Sequence, residues 1–186
     1  MKIIKFILPL FLLTACITTT VLKNSFQKAP TNPKVFKNRI YFEISSLSQI
    51  DTTVIYEEYN SSYFGDKSIK GLVRENYISS DSFYEVYRFY GNGCFSLFHL
   101  NKNIKTLTKE MFDPNYTGWR GILYTKENKL TGDLITQVSG VGTIGIIKEI
   151  FKFKGDTLFV NEKNNGKHIY IKRKISNEFM NSKAEW

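Results

Sequence analysis

The sequence predicts an all-β fold: an antiparallel up-and-down β-barrel of about eight or nine strands, with one short helix. Three observations predict it. Aromatic residues make up 15% of the chain, which together with the many Ile and Val residues favours strands over helices. Short apolar runs recur along the chain, and most of the links between them are of hairpin length and carry Gly, Asn or Asp. Strands joined to their sequence neighbours fit a barrel, because closure leaves no sheet edge unpaired.

Residues 40–46 and 53–59 read as strands rich in Ile, Tyr, Phe and Val, separated by the mostly polar 48–51 segment. Residues 59–70, with Asn60, Ser61, Ser62, Gly65 and Asp66, have the composition of a loop, and 71–79 return as a strand. The plainest pair is 83–90 and 94–100, two aromatic-rich runs joined by Gly91, Asn92 and Gly93. Asn and Gly both tolerate positive φ, so this link is a strong hairpin signal. Residues 102–113 hold the one helical candidate, with Thr108 as N-cap, a turn at 109–112 and a stop at Pro114. Strands at 119–126 and 129–138 turn at Glu127 and Asn128. Gly140, Gly142 and Gly145 then interrupt a stretch without charge; no helix and lysine follow at phosphate-cradle spacing, so it reads as a turn or bulge. The last three strands are 146–154, 156–162 and 168–174, with turns at Gly155 and at Asn164, Asn165 and Gly166.

Ahead of the strands lies a leader. Lys2 and Lys5 precede an apolar run to Leu13 that is too short to span a bilayer and is interrupted by Pro9. It ends in Leu13-Thr14-Ala15-Cys16, which resembles the lipobox of bacterial lipoproteins. The resemblance implies cleavage before Cys16, lipidation of its thiol and attachment to a membrane, with each buried methylene adding about 0.8 kcal/mol. Ile17 stands where an aspartate would signal retention in the inner membrane, which implies the outer membrane. The absence of acid from 17–28 favours its periplasmic face. Read instead as an ordinary secretory signal, the same leader would release a soluble protein. The expected organisation is a signal peptide at 1–15, a lipidated tether at 16–38, a barrel at 39–176 and a tail at 177–186. The tether reading rests on polar, basic composition with Pro30 and Pro33; about 20 flexible residues span about 25 Å.

Removing Lys2 and Lys5 lowers the formal net charge from +9 to +7. The lysines are scattered, the pattern of a solvated surface or of weak attraction to acidic lipid, and a nucleic acid partner is not expected outside the cytoplasm. Of the two cysteines, Cys94 has no partner once Cys16 is lipidated, and it is expected to be buried and inert. His99 lies five residues from it in the same strand, so the two side chains point to opposite faces and make no dyad. No His, Cys, Asp or Glu cluster has metal-site spacing, and no serine sits in a nucleophile elbow. Glu57 and Glu58 are neighbours in a strand and face opposite ways. The sequence therefore points away from an enzyme and calls for no cofactor.

Alternation selects the barrel interior. Ile147, Glu149, Phe151 and Phe153 share one face of their strand, opposite Lys148, Lys152 and Lys154, and should point inward. Glu149 would need a partner there, and Arg88 or Arg173 is the candidate. Such a pair reads either as a structural plug or as the polar anchor of an apolar ligand pocket.

The run from Tyr87 to Gly93, Gly132-Asp133-Leu134, Phe151 to Leu158 and Ile169 to Arg173 together resemble the lipocalin-like domains of small bacterial envelope lipoproteins, over roughly residues 80 to 175. The matching residues are turn chemistry, and the resemblance implies the barrel fold. Two functions remain open: a module binding a small apolar or amphipathic ligand, and a filled barrel that works through protein interaction.

Overall fold

The computed structural model describes residues 17–24, 26–62, 83–138, 142–162 and 167–186. Among the described residues there are ten strands: β1 (Thr19–Val21), β2 (Lys28–Pro30), β3 (Ile55–Ser62), β4 (Phe83–Phe89), β5 (Cys94–Asn101), β6 (Trp119–Lys126), β7 (Lys129–Gln137), β8 (Ile144–Lys154), β9 (Thr157–Glu162) and β10 (Lys167–Arg173). β3 to β10 form a closed barrel in sequence order, every neighbouring pair antiparallel, with β10 returning to β3. The up-and-down barrel expected from the sequence, with about eight or nine strands, is thus the fold, and it closes with eight. The expected strand at 71–79, Gly140 and the turn at 164–166 lie outside the described residues.

Local chemistry explains the turns. Glu127 and Asn128 both adopt positive φ, 52° and 58°, as a two-residue hairpin between right-twisted strands requires. The expected helix is a single 3-10 turn, Lys109–Phe112, following Thr108.

Side chains from alternate positions fill the interior. Tyr56, Tyr87, Phe89, Phe95, Leu97, Trp119, Leu123, Leu134, Phe151, Leu158, Val160 and Tyr170 belong to one buried cluster. One end of the barrel has a floor, made by Phe42, Leu47, Ile50 and Val54. Residues 40–46 are therefore not a strand. They run through two 3-10 turns, Lys37–Tyr41 and Ile44–Leu47, joined by extended Phe42 and Glu43, because Phe42 must fold under the barrel to cover Gly93, where an added Cβ would lie 2.5 Å from its ring. Lys172 on β10 closes this end against Asp51 at 2.9 Å. Hydrogen bonds from Thr53, with Lys172 beside it, hold the Asp51 carboxyl down to about 2. A depressed native value contributes stability above the unfolded value and loses it as pH falls toward 2. Asp51→Asn should accordingly flatten the pH dependence of urea stability between about pH 4 and 2; an unchanged slope would show that this latch contributes nothing.

The segments flanking the barrel are not loose. Within the stretch 16–38, expected as a tether, residues 17–24 and 26–38 fold onto the wall. β1 and β2 pair antiparallel, and Leu22, Ala29 and Phe36 are buried. The buried Gln27 Oε1 accepts the Gly118 N–H at 2.5 Å and the Thr117 hydroxyl at 2.7 Å. Polar composition misled here because one amide satisfies a backbone donor that would otherwise be buried unpaired. Residues 177–186, expected as a tail, likewise pack outside β4 to β6. The Trp186 indole N–H donates to Gly121 O at 2.9 Å, and the ring lies 4.9 Å beneath the Arg120 guanidinium.

Candidate functional site at the barrel mouth

Opposite the floor, the starts of β4 and β10 and the ends of β3 and β5 form a polar rim. Alternation puts Glu85 on the inner face with Tyr87 and Phe89, and His99 on the inner face with Phe95 and Leu97. The register pairs Tyr170 with Glu58 and Glu85 with His99. Glu85 accepts a hydrogen bond from the Tyr170 hydroxyl at 2.6 Å and meets His99 Nε2 at 3.4 Å. Its own backbone N–H donates to Glu58 Oε2 at 3.0 Å, and His168 stacks on Tyr170.

The two carboxyls are driven apart. Burial raises the Glu58 carboxyl above its usual range, against the pull of the Glu85 N–H. Burial also acts on Glu85, yet the hydrogen bond and charge of His99 and the bond from Tyr170 outweigh it, and Glu85 sits below its usual range. Burial and the nearby Glu85 charge push the Tyr170 hydroxyl well above its ordinary value. The rim thus sets two carboxyls side by side with their proton affinities shifted in opposite directions, and acidic oxygens there suit a bound cation better than an anion. No group of three or more metal-ligating side chains with suitable geometry occurs among the described residues.

A pocket of about 510 Å³ opens beside this rim, between the end of β5 and the loop that follows, with Phe83, His99, Ile104 and Tyr116 on its wall. Below the rim the interior is a stack of rings. Tyr87 and Tyr170 meet at 4.8 Å, Phe95 and Phe151 at 5.3 Å, Tyr56 and Phe153 at 5.4 Å, and Phe89 and Phe151 at 5.5 Å.

Of the residues assigned to the interior, Glu149, Phe151 and Phe153 are there, Glu149 only 1% exposed. Its carboxylate accepts a hydrogen bond from the Tyr87 hydroxyl at 2.6 Å. Arg88 and Arg173 are not in the interior. Arg88 shares its face with Val86, on the outside, and is buried under the chain's last residues. Arg173 is half-exposed and bonds Glu57 at 2.6 Å. The physical reason is that β4 is apolar on both faces, since its outer face is also covered, so counting apolar residues could not choose between them.

Cys94 is buried, as expected, and burial raises its thiol. It lies on the outer face, between Arg39 Nη1 and the Trp186 carbonyl, each at 3.4 Å. Glu57 and Glu58 do face opposite ways, the first toward Arg173 and the second toward Glu85. Sequence reasoning did not find the rim, because Glu58, Glu85, His99 and His168 come from four strands, and only Glu85 and His99, opposite each other in the β4–β5 hairpin, are linked by local spacing. The available signal was that Glu85, His99 and His168 each interrupt a face of inward aromatics. No family model, no curated protein and no solved structure matches the chain.

Proposed function

We propose that the chain is a lipid-anchored protein of the bacterial outer membrane, facing the periplasm, whose barrel is a solid, non-catalytic scaffold that works through its exposed surfaces. Cys16, at the end of the Leu13-Thr14-Ala15-Cys16 leader motif, is the anchor. The strand order and closure support the lipocalin-like resemblance, while the contents of the barrel argue against a carrier of apolar ligands. One observation carries this reading. The rings of Tyr56, Phe89, Phe95, Phe151 and Phe153 occupy the space a ligand would need, and Gly121 and Gly132 make room for them. Ligand-binding barrels instead keep a preformed cavity of at least about 300 Å³.

Native mass spectrometry of the chain from Ile17 should return the bare polypeptide mass, and a retained apolar molecule would overturn the solid-barrel reading. The anchor has its own test. Protein extracted from membranes should carry acyl groups on a terminal Cys16, and Cys16→Ser should leave the membrane fraction.

The rim favours a second reading, binding of a small amphipathic ligand with a cationic end. Glu58 and Glu85 would face the cation, and the adjoining pocket of about 510 Å³ would take the apolar part. Under this reading Glu85→Gln should abolish the shift that an alkylamine produces in the His99 resonance. An amine that never perturbs His99 in the unaltered protein removes this reading.

A further inference from the structure

We infer that the floor end of the barrel is a docking surface for an anionic phospholipid bilayer, which seats the barrel directly on the membrane; this rests on the lipid-anchor reading. The first observation is where the chain enters the fold. Thr18 O accepts the Thr31 N–H at 3.0 Å, so the β1–β2 hairpin is closed two residues after Cys16. Two residues span at most about 7 Å. The lipid-bearing end therefore emerges beside Thr31, and the Pro33–Val35 turn follows immediately.

The second observation is the chemistry of that neighbourhood. Residues 17–42 contain five basic and no acidic residues. Lys34, Lys37 and Arg39 line a groove of about 730 Å³ that also holds Ile40 and Trp186. Beside it Ile40 is 80% exposed, Ile44 73% and Tyr41 57%, three large apolar side chains on consecutive 3-10 turns. Glu185 also lines the groove and Glu43 follows in sequence, and together they reduce the positive charge without reversing it.

Basic side chains around protruding apolar ones match a headgroup layer. The ammonium and guanidinium groups meet phosphate, while Ile40, Tyr41 and Ile44 reach the acyl boundary. A protein partner would satisfy the apolar residues equally well. The adjacent lipid attachment and the uniform sign of 17–42 select the bilayer.

The test uses the chain from Ile17, which contains every described element and lacks Cys16, so its outcome does not depend on the anchor. Sedimentation with phosphatidylcholine vesicles containing 30% phosphatidylglycerol is expected to bind the protein, with much weaker binding to phosphatidylcholine alone and release by salt. Lys34→Ala with Lys37→Ala should lower partitioning by about 25-fold, at roughly fivefold per lysine near a charged surface. Ile40→Ala with Ile44→Ala should lower it further. Lys105→Ala with Lys109→Ala removes the same charge from the opposite end and should leave partitioning near the unaltered value, with unchanged near-ultraviolet circular dichroism throughout. Equal losses for the two lysine pairs, or no binding to the anionic vesicles, would overturn the inference. Failure of the anchor reading would show elsewhere, as unmodified Cys16 in membrane-extracted protein.

Discussion

Gly121→Val is expected to destabilise the protein by about 3 kcal/mol or more, at the upper end of what overpacking costs. Gly121 lies on the inner face of β6, and a Cβ there would stand 2.2 Å from Phe95 Cζ, with two further ring carbons at 2.5 Å. A long flexible side chain could swing aside. Phe95 cannot, because its ring is held by Tyr87 at 5.9 Å, Phe89 at 5.8 Å and Phe151 at 5.3 Å. Gly132 on β7 repeats the arrangement, with its Cβ position 2.5 Å from Phe151 and 2.9 Å from Phe95. The two glycines are thus recesses into which the central rings fit. This makes a sharper prediction for the pair. Phe95→Ala alone should cost about 3 to 5 kcal/mol through the cavity it leaves. Combined with Gly121→Val, the loss should fall at least about 2 kcal/mol short of the two single losses together, since valine then fills vacated space. Urea midpoints of the four proteins measure this coupling, and additive losses would mean that the two positions do not share the space.

The parts of this fold legible in the sequence are those whose cause is local. Asn92-Gly93, Glu127-Asn128 and Gly155 each turn the chain by their own backbone preferences, with Gly93, Glu127, Asn128 and Gly155 all at positive φ. Strand order followed from the shortness of those links. What was not legible depends on partners distant in sequence. Gln27 looks like any polar residue of a linker until Gly118 and Thr117 are brought to it. Ile40 and Phe42 alternate as in a strand, but Phe42 answers to the open end of the barrel. The inner face of β8 was readable because Lys148, Lys152 and Lys154 mark its outer face. β4 carries no such mark. Tyr84, Val86 and Tyr90 lie outside, Tyr87 and Phe89 inside, so both faces are apolar and nothing local tells that Arg88 faces out and Glu85 in. The rim was hidden because Glu85, although it meets His99 across the β4–β5 hairpin, reaches Tyr170 only when β10 closes the barrel against β3.

Arg88→Ala is expected to release the last ten residues from the barrel wall and to cost about 3 kcal/mol, the scale of losing charge-assisted hydrogen bonds at a buried site. Arg88 is 3% exposed, and carbonyls and a hydroxyl, rather than a carboxylate, surround its guanidinium. Nη1 donates to Phe112 O at 3.0 Å and Ser182 Oγ at 2.6 Å; Nη2 donates to Ser182 O at 2.8 Å and to Met180 O. Burial lowers its affinity for the proton, and the Tyr90 ring 4.6 Å away offers its face to the charge. A lysine has one nitrogen and cannot span these acceptors, so Arg88→Lys should recover little of the loss. The two tryptophans give a built-in readout. Trp186 belongs to the released segment, whereas Trp119 lies inside the barrel. If the clamp holds only the segment, emission should shift to the red by the share of Trp186, and trypsin should cut at Lys183 while the barrel's urea transition stays cooperative. A variant that keeps its emission maximum and resists cleavage would show that Asn92, bonded to Ala184 O at 2.6 Å, and the Trp186 indole hold the segment without Arg88. That result would make Arg88 a contributor to the packing of Phe112, which its Nη1 also reaches, and would move the effect from the chain end to the loop before β6.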